Sequence, residues 1–581
     1  MSHPDRDRSG QPGADRDRTA LLSAPGAPFE VARDEATGAL TYVSGPRTLR
    51  EFAETVWAYR DRPFLVAETG TYTYGEFLAA ASALAVRFTD GYGLRPGDRA
   101  VIAMRNHPEW QIAFWATQLA GLVAVPLNGW WTEAEFAYAL DDCTPRLLLV
   151  DGERLPRVRG WVERRNAQAE KGSQGGGPDA HVTAARVVTF HHHREDDIER
   201  YEDFPPADPL TAPPAVEVRP EDDATILYTS GTTGRPKGAV ATHLAQCGAV
   251  ANSLYVAAAQ AIDKGETPGG GPVPVQLITF PFFHVAAFTG VFACMSRGGV
   301  LVMLHKWDPA KALAAIREHG VTHFGGVPST ALQLLSAARE SGDDLGGLVG
   351  IGIGGAAAPP GLVTRLTAAH GERIEPRNGY GLTETCGGVL AVYGAEYRAH
   401  PDAVGRPAPA VEVRLDAHGS RDGEEVGELL LRGQSLIRGY WGDDKATEAA
   451  FTDDGWFRTG DLAVVRDGRV SVIDRLKDMV LRGGENVYCV EVESVLHDHP
   501  DVLDAAVVGV PHPVLGEEVA AVVQLRDGAA VGEDGLRAHV GASLAAFKIP
   551  SVVVLRDDEL PRNPTGKILK RRIREELLAR G

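Results

Sequence analysis

Between Glu109 and Leu127 the sequence runs EWQIAFWATQLAGLVAVPL, an apolar stretch interrupted only by Gln118, Gly121 and the opening polar residues. Its first part is long enough for a helix, and its end, rich in β-branched residues, predicts a buried strand. The same grammar recurs upstream. TYTYGEFLAAASALAVRF (71–88) reads as an extended stretch entering a helix, and GDRAVIAMRN (97–106) as a turn feeding a strand. Alternation of this kind confines the chain to the α/β class. No apolar run reaches the length needed to cross a bilayer, so stable membrane insertion is not expected.

Composition narrows the class further. The 581 residues are 44% hydrophobic and 24% charged, with 66 Gly that follow no three-residue period, which excludes a largely disordered chain and a collagen. Lys and Arg number 59 against 78 Asp and Glu, a net charge of -19 that disfavours general attraction to nucleic acid or anionic lipid. Cys143, Cys247, Cys294, Cys386 and Cys489 form no CxxC pair, so neither a disulfide framework nor a structural zinc site is expected and the chain reads as cytoplasmic. Residues 1–25, rich in Asp, Arg, Gly and Pro, read as a loose leader.

Two polar stretches, RRNAQAEKGSQGGGPD (164–179) and DKGETPGGGP (263–272), predict surface insertions. A boundary is expected within VIDRLKDMVLRGGENV (472–487), giving a large multi-sheet α/β lobe over 26–476 and a smaller α+β lobe over 477–581. Within the second lobe, VYCVEVESVLHDHP and EDGLRAHVGASLAAF predict helices, and VLDAAVVGVPHP and EEVAAVVQL predict strands.

The sharpest motif is Tyr228-Thr229-Ser230-Gly231-Thr232-Thr233-Gly234-Arg235-Pro236-Lys237-Gly238, directly after the strand-like ATIL. Glycines that permit tight turns, several hydroxyls and one cation suit a polyphosphate. GxxxxGK[ST] has no match here, which disfavours ordinary P-loop kinases and GTPases. Further along, Asn378-Gly379-Tyr380-Gly381-Leu382-Thr383-Glu384-Thr385 offers an amide, an aromatic face, a hydroxyl and a carboxylate around glycine turns. GIGGAAAPP supplies Gly354, Gly355 and Ala356, small enough for backbone to approach a flat ligand. Asp461 can accept from two sugar hydroxyls and Arg475 can donate to sugar or phosphate. Lys567 follows the turn Pro561-Arg562-Asn563-Pro564-Thr565-Gly566.

Together, in this order and spacing, these segments resemble the adenylate-forming superfamily of acyl- and aryl-CoA synthetases, peptide-synthetase adenylation domains and luciferases, most nearly the fatty-acyl-CoA ligases. The resemblance implies roles for matching residues. Thr229 to Gly234 and Lys237 would hold ATP phosphates; Asn378, Gly379 and Tyr380, with Gly354, Gly355 and Ala356, would enclose the adenine. Thr383 would contact the α-phosphate, Glu384 would help hold Mg²⁺, Asp461 and Arg475 would bind the ribose, and Lys567 would be the catalytic lysine. Lys477 falls on the hinge, and Gly483, Gly484 and Glu485 on a loop lining the pantetheine tunnel.

The activity so implied is adenylation of a carboxylic acid followed by transfer to coenzyme A, with a carrier-protein pantetheine, an amine or another nucleophile as the alternative acceptor. Homodimerisation is a further expectation from relatives. His284, in FPFFHVAAF (280–288), matches a gate beside the carboxylate, although an isolated histidine in an aromatic run reads as a core residue. The surrounding aromatic and aliphatic residues favour an uncharged acyl tail over an ammonium-bearing one. A medium- or long-chain aliphatic acid is the first expectation and an aryl acid the second. Small and apolar residues in THFGGVPSTALQLL and GLVGIGIGG suit a narrow tunnel.

Other candidates read as structural. Trp130 and Trp131 are expected to pack, His191, His192 and His193 to lie in an exposed loop without a metal, and Cys386 not to act as a nucleophile. Lys570, Arg571 and Arg572 are expected on a solvated helix face.

Overall fold

The computed structural model describes residues 20–175, 182–194, 198–229, 235–356, 358, 360–421, 423–563 and 566–579. Two large sheets form the N-terminal region. One has eight strands, with the parallel strands Arg99–Ala103, Val123–Pro126, Leu147–Asp151 and Arg186–Phe190 at its heart. The other has nine, including parallel Val275–Ile278, His323–Gly326, Gly350–Gly354 and Glu375–Leu382. A four-stranded antiparallel sheet follows, and a smaller C-terminal sheet carries its own helices.

The segment opening the sequence argument forms the helix Pro108–Leu119 and the strand Val123–Pro126. Pro108 sits in the helix's first turn, where its missing N–H costs nothing. Every residue of this helix is buried, because it lies between the two large sheets. Trp110 and Phe114 stack at 5.5 Å and meet Phe282 and Phe288 from the other sheet's side, at 5.3 and 5.2 Å. An aromatic seam therefore joins the sheets and fixes FPFFH against the first one.

Helix Leu155–Gly175 runs through the first part of the expected insertion at 164–179; residues 176–181 lie outside the described residues. Arg, Gln, Ala, Glu and Lys are good helix formers, so a polar stretch continues the helix once Val158 and Trp161 anchor its inner face. Asn166 then bonds both backbone groups of Ala185, at 2.8 and 3.1 Å. The second stretch is irregular after helix His243–Asp263 ends, as expected. Residues 1–19 of the leader lie outside the described residues, while Leu22 within it is buried beside Ala258 and Ala259.

One property of the nine-stranded sheet shapes the site. In register, Gln276, His323, Gly350 and Glu375 form one row across four neighbouring strands. Two residues on, Ile278, Gly325, Gly352 and Arg377 form the next, and Gly354 pairs Gly379 in a third. Residues two apart share a face, so this face is paved largely with glycine.

The C-terminal domain begins after a turn over residues 476–478, between strands Arg469–Arg475 and Val480–Arg482. Asp474 accepts from the backbone N–H groups of Cys489 and Val490, at the start of helix Cys489–His497. This carboxylate ties the first helix of one domain to the last strand of the other.

Candidate functional site

Thr229 ends the strand Asp223–Thr229 and pairs Lys237, which opens the antiparallel strand Lys237–Thr242. The phosphate motif is thus a hairpin connection; Ser230, Gly231, Thr232, Thr233 and Gly234 lie outside the described residues. Lys237 Nζ stands 5.2 Å from the ring of Tyr440, whose hydroxyl donates to Glu384 Oε1 at 2.9 Å. Burial holds the Glu384 carboxyl above its ordinary range, opposed by the Tyr440 hydrogen bond. A carboxylate so placed is a hard-oxygen donor that fits a magnesium ion. Thr383 and Glu384 lie on one short turn, Thr383–Thr385, closed by Cys386 with a left-handed φ of 57°. Cys386 is fully buried and its thiol is pushed up by desolvation, as suits a packing residue.

The Tyr380 hydroxyl donates to Asp461 Oδ2 at 2.6 Å, and Arg475 Nε approaches Asp461 Oδ1 at 3.2 Å; of these three expected site residues only Arg475 lines the shared cavity. Asp461 and Arg475 are register partners on adjacent strands, so the ion pair is prearranged by the sheet. Asn378 reaches the Ala403 carbonyl at 3.4 Å. Gly354 ends its strand, where a Cβ would stand 3.2 Å from the Gly379 carbonyl; Gly355 takes φ +73°, and Ala356 follows half-buried.

The C-terminal domain contributes Lys567. Asn563 clamps the turn from both sides: its side chain accepts from the Lys567 N–H and its own N–H donates to the Lys567 carbonyl, both at 2.8 Å. Gly566, with φ +82°, lets that turn approach the other domain, for a Cβ there would meet Val327 at 3.2 Å and Ser329 at 3.3 Å. Desolvation and the neighbouring Arg475 push the Lys567 amine down to about 8, with Asp461 opposing. His284 caps the helix Val285–Met295 by accepting from the Ala286 N–H at 3.2 Å. Burial, with Lys567 close by, pushes its imidazole down to about 4. It is therefore neutral at physiological pH.

A cavity of about 2020 Å³ gathers these groups: Thr229, Lys237, His284, Thr383, Glu384 and Lys567 all line it. Gly354, Gly355, Asn378, Gly379, Arg475 and Lys477 line it too, with Lys477 in the connecting turn. Gly483 and Gly484, at φ +61° and +91°, form a two-residue hairpin turn before Glu485, and none of the three lines this cavity. Trp131 packs edge-on to Phe136 and Tyr228, as expected, while Trp130 is exposed against Phe283 and Arg105; both also reach the cavity wall.

Beyond His284 the cavity continues over the glycine rows, walled by Ala257, Ala286, Thr289, Gly290 and Ala293. It ends at polar residues the sequence did not flag: Gln276, His323 and Arg377. Tyr440 was also missed, because no motif marks it.

One expectation is corrected outside the cavity. Lys570 is not solvated: its Nζ lies 2.8 Å from Glu493 Oε1, with side chains only 17% and 14% exposed. One face of the helix Lys570–Leu578, carrying Ile573 and Leu577, packs against the sheet, so Arg571 and Arg572 face water while Lys570 points inward. The three consecutive histidines also part ways. His191 is exposed, as expected, with a left-handed φ of 51°, yet it bonds Glu109 at 3.0 Å and stacks on His107 at 4.2 Å. His107, Glu109 and His191 bring their ligand atoms within 4.8 Å of one another, a grouping the reading of three loop histidines did not foresee.

The family model of AMP-binding enzyme matches residues 52–441, and that of the AMP-binding enzyme C-terminal domain matches 491–567. The chain is 33% identical over 493 residues to feruloyl-CoA synthase from an Amycolatopsis species, covering 83% of this chain and 89% of the relative. It is 33% identical over 526 residues to the long-chain-fatty-acid–CoA ligase FadD13 of Mycobacterium tuberculosis, covering 87% and 93%. Among solved structures, amide bond synthetase McbA from Marinactinospora thermotolerans superposes with a TM-score of 0.77 at 27% identity, covering 92% of this chain and all of that one. Sequence, fold and the convergence of both domains on one cleft agree: the chain belongs to the AMP-binding, adenylate-forming enzyme family.

Proposed function

We propose that this chain is an AMP-forming acid–thiol ligase that adenylates a medium- or long-chain aliphatic carboxylic acid and passes the acyl group to coenzyme A. The observation carrying this reading is Lys567, a C-terminal-domain cation inserted into a cavity that also holds Lys237, Thr383, Glu384 and Arg475. The acid's carboxylate attacks the α-phosphorus of ATP, forming the acyl–phosphate anhydride and releasing pyrophosphate. Lys567 holds the attacking carboxylate and an α-phosphate oxygen together, and its charge offsets that developing on phosphorus. Lys237 faces the outer phosphates. Thr383 donates to the α-phosphate, and the Asp461–Arg475 pair holds the ribose. Glu384 would hold magnesium, which supplies neutralisation of phosphate charge when bound.

Neutral His284 marks the entrance to the acyl cavity, whose apolar walls take the acid's body. The second step needs Lys567 withdrawn. A turn at Lys477 lets the smaller domain rotate, so that the Gly483-Gly484 hairpin faces the cleft and guides a thiol to the acyl carbon, expelling AMP. A second reading, transfer to an amine, is supported by the likeness to the amide bond synthetase.

The test is incubation with ATP, magnesium and a graded panel of aliphatic and aryl acids, with CoA, with an amine, or with neither, followed by mass spectrometry. Acyl-CoA is the expected product. Acyl-AMP that yields only amide would replace the thiol reading, and no pyrophosphate release from any acid would overturn the ligase reading.

A further inference from the structure

The far end of the acyl cavity is lined by Gln276 and His323 of one row and Arg377 of the next; Gly350 and Glu375, which complete the first row, do not line it. Four residues separate Gly350 from Gly354, the row nearest the nucleotide, so at the rise of a strand the two ends are about 13 Å apart. Three polar groups at this end have unused hydrogen-bonding capacity. Gln276 Oε1 is buried with no partner among the described residues. His323 bonds Thr322 through Nδ1 at 2.9 Å, and among the described residues its Nε2 has no partner. Arg377 donates to Glu375 Oε1 through Nε at 2.8 Å, and among the described residues its two terminal nitrogens have no partner.

These groups converge. A Cβ on Gly350 would stand 3.1 Å from His323 Cδ2 and 3.3 Å from Arg377 Nε, so both side chains flank the same bare stretch of strand. A Cβ on Gly290, from the opposite helix, would stand 2.7 Å from Ile278 Cδ1 and 3.7 Å from Gln276 Oε1, so Ile278 packs onto that glycine, and Gly290, Ile278 and Gln276 together line this end of the cavity.

Charge points the same way. Glu375 is shared between Arg377 and Lys264, whose Nζ lies at 3.0 Å, and Arg297 nearby is bonded only to the carbonyls of Gly271 and Pro272. With Glu266 exposed at the rim, three cations face two carboxylates. Burial and those cations push the His323 imidazole down to about 3, so it is neutral; the Thr322 hydroxyl donates to the Val275 carbonyl at 3.1 Å, so Nδ1 carries the ring proton and Nε2 is left as an acceptor. The terminal amide of Gln276 turns to donate as readily as to accept. A methyl terminus would leave the Arg377 and Gln276 donors desolvated without a partner, which is costly.

We infer that the acid activated here carries a hydrogen-bond-accepting oxygen group, a carboxylate or a ketone, at the end remote from the reacting carboxyl, and that Arg377 and Gln276 read it. This rests on the ligase reading and narrows it: the body of the acid is apolar and its tip is not. The two residues act in specificity, remote from the reacting atoms.

The test compares three acids of matched length ending in a methyl, a methyl ketone or a second carboxylate, with kcat/KM read from pyrophosphate release. An oxygenated tip should win by about tenfold or more, as expected where a site has donors to satisfy. Arg377→Met and Gln276→Leu should each bring the oxygenated-to-methyl ratio toward one. A carboxylate preferred over a ketone assigns the reading mainly to Arg377; a ketone preferred assigns it mainly to Gln276; either supports the inference. Pyrophosphate release with equal or better use of the methyl acid by the wild-type protein overturns this inference alone. Release from none of the three, nor from any acid of the broader panel, overturns the ligase reading and this one with it.

Discussion

Lys567 and Lys570 lie on either side of the same helix start, both drawn out of water, yet their surroundings differ. Lys570 has Glu493 at 2.8 Å, and that carboxylate also accepts from the Val507 N–H at 2.7 Å. Attraction outweighs desolvation and its amine is held well above the ordinary range. Among the described residues Lys567 has no carboxylate in ion-pair contact; burial, with repulsion from Arg475 and Lys477, brings its amine down to about 8. A buried cation with a partner stabilises a fold. One held without a partner is kept for a ligand that brings the negative charge.

The comparison can be broken by removing each charge in turn. Lys567→Ala should lower the rate of acid-dependent pyrophosphate release by about 10²–10³ while leaving thermal unfolding nearly unchanged. Lys570→Met should do the reverse. Stranding Glu493 should cost about 2–3 kcal/mol, below the full penalty for a buried pair because both side chains keep some solvent contact. Chemical denaturation reads that loss, and Glu493→Leu in the same chain should restore much of it. Equal effects of the two substitutions on both readouts would erase the distinction.

A smaller effect sharpens it by pH. The Lys567 amine is charged below about 8 and neutral above, so kcat/KM for pyrophosphate release should fall as pH rises through that value, up to about tenfold per unit. Its contribution to stability has the opposite sign. The folded amine binds its proton less tightly than the unfolded one, whose value is about 10.4, so this contribution rises with pH between about 8 and 10.4. Lys570, with its value raised, keeps its pair intact across that window. A pH profile flat from 7 to 9 would sink the assignment of charge at Lys567.

Much of this was legible in the sequence because it is local. Helix Pro108–Leu119 follows from continuous apolarity and a proline start, and the motif residues Lys237, Thr383, Glu384 and Lys567 line one cavity as their resemblance implied. Lys570 was misread because its partner Glu493 lies far away in the chain, and no periodicity in a nine-residue helix distinguishes an inward lysine from an outward one. Tyr440 meets Glu384 only through the strand pairing of Gly439–Tyr440 with Lys237–Thr242. The row Gln276, His323, Arg377 depends on parallel register, which sets side chains together across strands separated by long crossovers. His191 needed a left-handed backbone to turn away from its two neighbours.

The glycine rows carry one more consequence. Strands gain much of their cohesion from side chains touching across the ladder, and glycine supplies none while losing the most entropy on ordering. The sheet is therefore weakest where it is most hollow. An acid lying along Gly352 and Gly354 would supply the missing lateral contacts, so that guest and host share a single packing energy. Substrate affinity and the cohesion of the nine-stranded sheet are then two readings of one quantity, and whatever fills the hollow also holds the wall together.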